Sequence, residues 1–209
     1  PSNPILGDVN PEAQRHFDLG VSFLGEGKFD SAISEFQEAI RLKPDDAEAH
    51  SYLGWAYVNK GLYDLAIRQY EEAIRLKPDD AEAHYNLGAA YVNKGLYDLA
   101  IRQCAEAIRL RPDWAEAHFQ LGAVYSLKGL YDLAIRHLEE CVLIKPDFVE
   151  AHELLNLLYQ SSGRPSIIAP SQPAGGKVYH LKNSRVFHRA SCSIIQNEIN
   201  LGEFSSRDK

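Results

Sequence analysis

The chain has 209 residues, 45% of them hydrophobic and 24% charged, with a formal net charge of −7, which fits one long globular domain or a domain with an appendage. No apolar run approaches the roughly 18 residues of a bilayer-spanning helix, so no membrane span is expected. Three cysteines, Cys104, Cys141 and Cys192, are odd in number and widely spaced, which argues against a disulfide framework and for a reducing, cytoplasmic setting.

Residues 1–12 read as an N-terminal coil. Pro1-Ser2-Asn3-Pro4 lacks the basic-then-apolar pattern of a secretory signal. There is no methionine, even at residue 1, which points to a processed chain or a piece of a longer one. The next stretch is repetitive. Residues 47–80 (AEAHSYLGWAYVNKGLYDLAIRQYEEAIRLKPDD) and 81–114 (AEAHYNLGAAYVNKGLYDLAIRQCAEAIRLRPDW) differ at seven of 34 positions. Residues 115–148 continue the series, 13–46 form a more diverged first copy, and 149–163 are half a unit that reads as a capping helix. Pro44, Pro78, Pro112 and Pro146 lie 34 residues apart and fix the period.

Each unit predicts two helices. In residues 47–80, Ala49, Leu53, Ala56 and Tyr57 recur at helical spacing. So do Leu65, Ala66, Ile67, Tyr70, Ala73, Ile74 and Leu76. Gly61 suits a left-handed helix end, Pro78 stops the second helix, and Asp79 or Asp80 can cap the next. Small residues such as Gly54, Ala66 and Ala73 permit close helix approach. One pair cannot bury its apolar face alone, so neighbouring pairs must stack.

The run His50-x2-Leu53-Gly54-x2-Tyr57, then Ala66-x3-Tyr70, Ala73 and Pro78, resembles the tetratricopeptide repeat. The pattern recurs four times over about residues 13–148, with His where that family usually carries Trp or another bulky residue. The resemblance implies an all-α, right-handed superhelix of four helix-turn-helix repeats plus the capping helix. Its concave face, lined by the first helix of each pair, would bind peptides or extended protein segments. Carried onto this chain, the groove residues are Phe17, Val21, Trp55, Val58, Asn59, Tyr85, Val92, Asn93 and Phe119, with an acidic row of Glu48, Glu82 and Glu116 near the helix starts. Trp55 and Tyr85 are expected as exposed anchors and the two asparagines as backbone partners, while Trp55 and Phe119 could instead pack along the stack. Chaperone-binding members of the family clamp a terminal carboxylate with Lys, Arg and Asn. These columns hold no Lys or Arg, so the expected partner has apolar anchors and basic residues.

His16, His50, His84, His118 and His152 also recur every 34 residues. Equivalent residues on stacked helices lie roughly 8–10 Å apart, too far for two ligands on one zinc, so a packing role is expected. Cys104 and Cys141 occupy the positions of Tyr70 and Ala73 in other copies and read as small buried hydrophobes. No phosphate loop, paired catalytic carboxylates or Ser/His/Asp set stands out, so no enzyme is expected.

Ser161–Gly176 is rich in Ser, Pro and Gly and reads as a linker, residues 164–176 following the capping helix. Residues 1–163 carry 15 basic and 26 acidic side chains, and residues 164–209 carry 7 and 3. The body is acidic and the tail basic. Within residues 177–209, two short β-type runs around Asn183-Ser184 predict a hairpin, and His188 and Cys192 follow in His-x3-Cys spacing. VYHLKNSRVFHRASC is similar to the start of the small zinc unit of the Ada alkylation-repair protein. In that family a later Cys-x2-Cys completes the site, so His188 and Cys192 would be half a site, with stable zinc only in a longer chain. Self-association through this tail, anchored by Val178, Tyr179 and Phe187, is a further expectation. A protein-interaction scaffold is thus the leading reading, and the alternative is a targeting module of a nucleic-acid-related protein. Nucleic acid is an unlikely ligand for so acidic a body.

Overall fold

The computed structural model describes residues 10–162, and every regular element among them is an α-helix. The hairpin expected in residues 177–188, the linker and the His188/Cys192 half-site lie outside the described residues. Two compact units divide the chain, residues 1–112 and 113–209.

The first unit holds α1 (Pro11–Gly25), α2 (Phe29–Leu42), α3 (Ala47–Asn59), α4 (Tyr63–Leu76), α5 (Ala81–Asn93) and α6 (Tyr97–Leu110). α1 pairs with α2, α3 with α4 and α5 with α6, while α2 packs on α3 and α4 on α5. The second unit holds α7 (Ala115–Leu127), α8 (Tyr131–Ile144) and α9 (Val149–Ser162), with α8 packed between the other two in sequence.

The helix boundaries follow from local chemistry. The Asp46 carboxylate accepts from the Ala49 N–H at 3.1 Å, and Asp80 accepts from Glu82 and Ala83 at 3.0 and 3.2 Å, satisfying donors that a helix start leaves unpaired. α1 begins at Pro11, two residues before the expected repeat start, because Asn10 caps it through the Glu12 and Ala13 amides and proline suits the first helical position. At the other end, Gly61 sits at φ 72°, and the Leu62 N–H reaches back to the Tyr57 carbonyl at 2.9 Å. The same turn recurs at Gly95 and Gly129.

A second glycine column sets the packing. A Cβ at Gly54 would lie 2.9 Å from the Tyr70 ring, and one at Gly88 would lie 2.9 Å from the Cys104 sulfur. The first helix therefore rests directly on the large side chain of its partner. Phe36, Tyr70, Cys104 and Leu138 take this place in successive repeats, all essentially without solvent exposure. Both cysteines are buried, and burial pushes each thiol up to about 12, so both act as the expected small hydrophobes. In the second unit Leu138, Cys141, Leu154, Leu155, Leu158 and Tyr159 close the core.

Candidate functional site

On a helix, residues spaced i, i+3, i+4, i+7, i+10 and i+11 share one face. This face of α3 carries Glu48, Ser51, Tyr52, Trp55, Val58 and Asn59, and that of α5 carries Glu82, Tyr85, Asn86, Ala89, Val92 and Asn93. Neither holds a Lys or Arg. On α3, Ser51, Tyr52, Trp55, Val58 and Asn59 are all half-buried and Glu48 is exposed. On α5 the same positions are more enclosed: Tyr85 retains 6% of its surface and Val92 9%, while Glu82 is exposed. The expectation of Tyr85 as an exposed anchor is therefore corrected. Trp55 is the open aromatic of the stripe.

The remaining predicted residues divide in the same way. On α1, Val21 is half-buried, and Phe17 belongs to an aromatic cluster, 5.8 Å from Phe36 and 5.2 Å edge-on from Tyr52. In the second unit, Phe119 is 8% exposed and its ring lies 5.0 Å from Phe148, so it packs in the core. The asparagines spend their NH2 groups on their own helices, Asn59 on the Trp55 carbonyl at 2.9 Å and Asn93 on that of Ala89 at 2.8 Å. Each bond uses one of the two amide N–H donors, and the Asn93 Oδ1 is buried with no partner.

The acidic row is shorter than expected. Glu48 and Glu82 have no ion-pair partner among the described residues, but Lys145 donates to Glu116 at 2.9 Å and neutralises it. The cause is a local substitution. In earlier repeats the lysine of this column pairs with an aspartate three residues on, Lys43 with Asp46 and Lys77 with Asp80. Residue 148 is Phe, so Lys145 lies over its ring at 5.0 Å and turns to Glu116.

Sequence reading missed the column Tyr52, Asn86 and Gln120, although helical spacing places it beside the chosen residues. Gln120 is 2% exposed and neither of its amide atoms has a partner.

The histidine column forms a set of clasps. His50 Nε2 lies 3.0 Å from the Pro44 carbonyl and its Nδ1 2.8 Å from Gln69 Oε1, and His84 repeats this with Pro78 and Gln103 at 3.1 and 2.7 Å. Each histidine thus ties its helix to the preceding turn and to its partner helix. The partner is Glu35 for His16, at 2.6 Å, and His137 for His118, with the two Nδ1 atoms 3.3 Å apart. Burial, followed by the His118 and Arg136 charges, lowers His137 from its ordinary 6.5 to about 4. No group of three or more His, Cys, Asp or Glu side chains among the described residues could hold a metal ion, and none of the described helices is long and apolar enough to cross a membrane.

Comparison with known proteins supplies the family. Residues 20–61 and 54–95 match the family described as TPR repeat, and residues 79–146 match that described as tetratricopeptide repeat. Among solved structures, a crystal structure of MamA is 32% identical, with 69% of this chain and 85% of that one covered at a TM-score of 0.67. TTC0263, a TPR protein of Thermus thermophilus, is 29% identical over 73% of this chain and 84% of its own, with a TM-score of 0.60. YrrB, described as a TPR protein with an unusual peptide-binding site, shares the fold at 23% identity and a TM-score of 0.64, over 75% of this chain and 81% of its own. No curated protein matches the chain. With its 34-residue period, paired helices and glycines packed on the partner helix, the chain belongs to the tetratricopeptide-repeat family.

Proposed function

We propose that this protein is a non-catalytic interaction scaffold whose α3–α5 face holds a peptide or extended protein segment with apolar anchors and basic residues. The observation that carries this reading is the α3 stripe. Trp55, Tyr52 and Val58 are half-open on a helix that also bears the exposed Glu48, with Glu82 in the same place on α5 and no cation on either stripe. An aromatic of this kind gains from burial under a partner, and two carboxylates without an ion-pair partner favour Lys or Arg over Asp or Glu in that partner.

Arrayed twelve-residue peptides of three compositions test the reading: aromatic with Lys/Arg, aromatic with Asp/Glu, and aromatic-free basic. The first class should bind best, and Glu48→Gln with Glu82→Gln should weaken that class and flatten its salt dependence. Equal binding of the acidic class would overturn the proposal.

A further inference from the structure

The fourth clasp differs from the middle two in the one respect that matters to a proton. Gln69 and Gln103 can present either end of their amide, the acceptor oxygen or the donor NH2, to the facing histidine by a half-turn. At the fourth, two imidazoles face each other Nδ1 to Nδ1 at 3.3 Å. One proton between them makes a hydrogen bond. A proton added at the bare Nδ1 sets two N–H groups face to face and ends that bond, and a proton added elsewhere on His137 places a charge on a half-buried ring.

We propose that the His118–His137 clasp makes the helices of the second unit an acid-sensitive joint. The surroundings of His137 offer such a charge no relief. From α7 it meets His118 and the Tyr125 ring, stacked on it with centroids 5.6 Å apart. Its own helix contributes Arg136, and no carboxylate of α7, α8 or α9 is among the charges that act on it. The folded state therefore keeps His137 neutral, with a proton affinity held well below that of the unfolded chain. The sign follows directly. The contribution to stability is complete above the ordinary histidine range, near 6.5, and is lost as pH falls from there toward 4, because the opened form takes up a proton that the closed form refuses. This inference does not depend on what the α3–α5 face binds.

Amide hydrogen exchange of the full chain at pH 7.5 and pH 5.0, corrected for intrinsic rates, tests it. Protection in α7 and α8 should fall by about 10- to 30-fold at the lower pH relative to α3 and α4. His137→Gln, which restores the residue of the two middle clasps, should remove that difference. Gln103→His should confer acid sensitivity on α5 and α6, and it keeps the test decisive if the first variant folds poorly. Protection in wild-type α7 and α8 that is unchanged by acid would overturn the proposal. So would a Gln103→His chain whose α5 and α6 gain no acid sensitivity, or a His137 that titrates near 6.5 by NMR.

Discussion

The first unit and the second are written on the same 34-residue template, and their differences lie in a few side chains. In the first, Asp46 and Asp80 cap α3 and α5, Lys43 and Lys77 pair locally, and glutamines close the clasps of His50 and His84. In the second, Trp114 stands at the cap position of α7 without a side-chain cap bond, Lys145 reaches Glu116, and His137 closes the clasp of His118. The backbone barely registers these changes, since the turns at Gly61, Gly95 and Gly129 keep φ within 70–72°. A repeat backbone held by glycines, prolines and buried alanines leaves its polar positions free to diverge. Charge and proton response can then differ between units that share a fold.

Deleting the side chain that fills the glycine column should have the largest effect. Tyr70→Ala is expected to cost about 3–5 kcal/mol, because a fully buried ring is removed from a site where glycine leaves nothing to collapse inward. Cys104→Ala, the same position one repeat on, removes a single atom and should cost roughly 1 kcal/mol. Chemical denaturation of the two variants reads the contrast, and equal losses would break the claim that this column carries the packing.

Trp55→Ala should weaken binding of an aromatic, basic peptide by about 30-fold, the effect of a hot-spot residue worth roughly 2 kcal/mol, with little change in Tm. Asp80→Ala should cost about 1 kcal/mol as α5 loses its cap. The smallest effect is expected from Lys145→Ala. It removes a partly exposed ion pair with Glu116, so thermal unfolding should show a loss of less than about 1 kcal/mol that shrinks as salt is raised.

How much of this was legible in the sequence depends on the distance over which each feature is decided. Helix limits are set by neighbours within a turn or two, so Gly61, Pro78 and Asp80 announced them correctly, and the earlier start of α1 was readable in Asn10-Pro11. Burial of the two cysteines followed from their repeat positions. The site was less legible because its state depends on partners in other helices. Phe119 could line the groove or pack along the stack until Phe148 met it at 5.0 Å, and Glu116 looked like one more member of the acidic row until Phe148 took the place of the aspartate that pairs with this lysine in earlier repeats. His137 was visible as a departure from Gln69 and Gln103, but its meaning needed the 19-residue clasp that only the packed helices disclose.

A photo-crosslinking amino acid placed at position 55 and, in a separate chain, at position 65 tests the central claim most directly. Residue 55 lies on the α3 stripe, whereas Leu65 is an exposed apolar residue on the second helix of the same repeat. With an aromatic, basic peptide as the probe, capture at position 55 and not at position 65 is the predicted result. Capture at 65 with none at 55 would place the partner on the opposite side of the repeat and contradict the account.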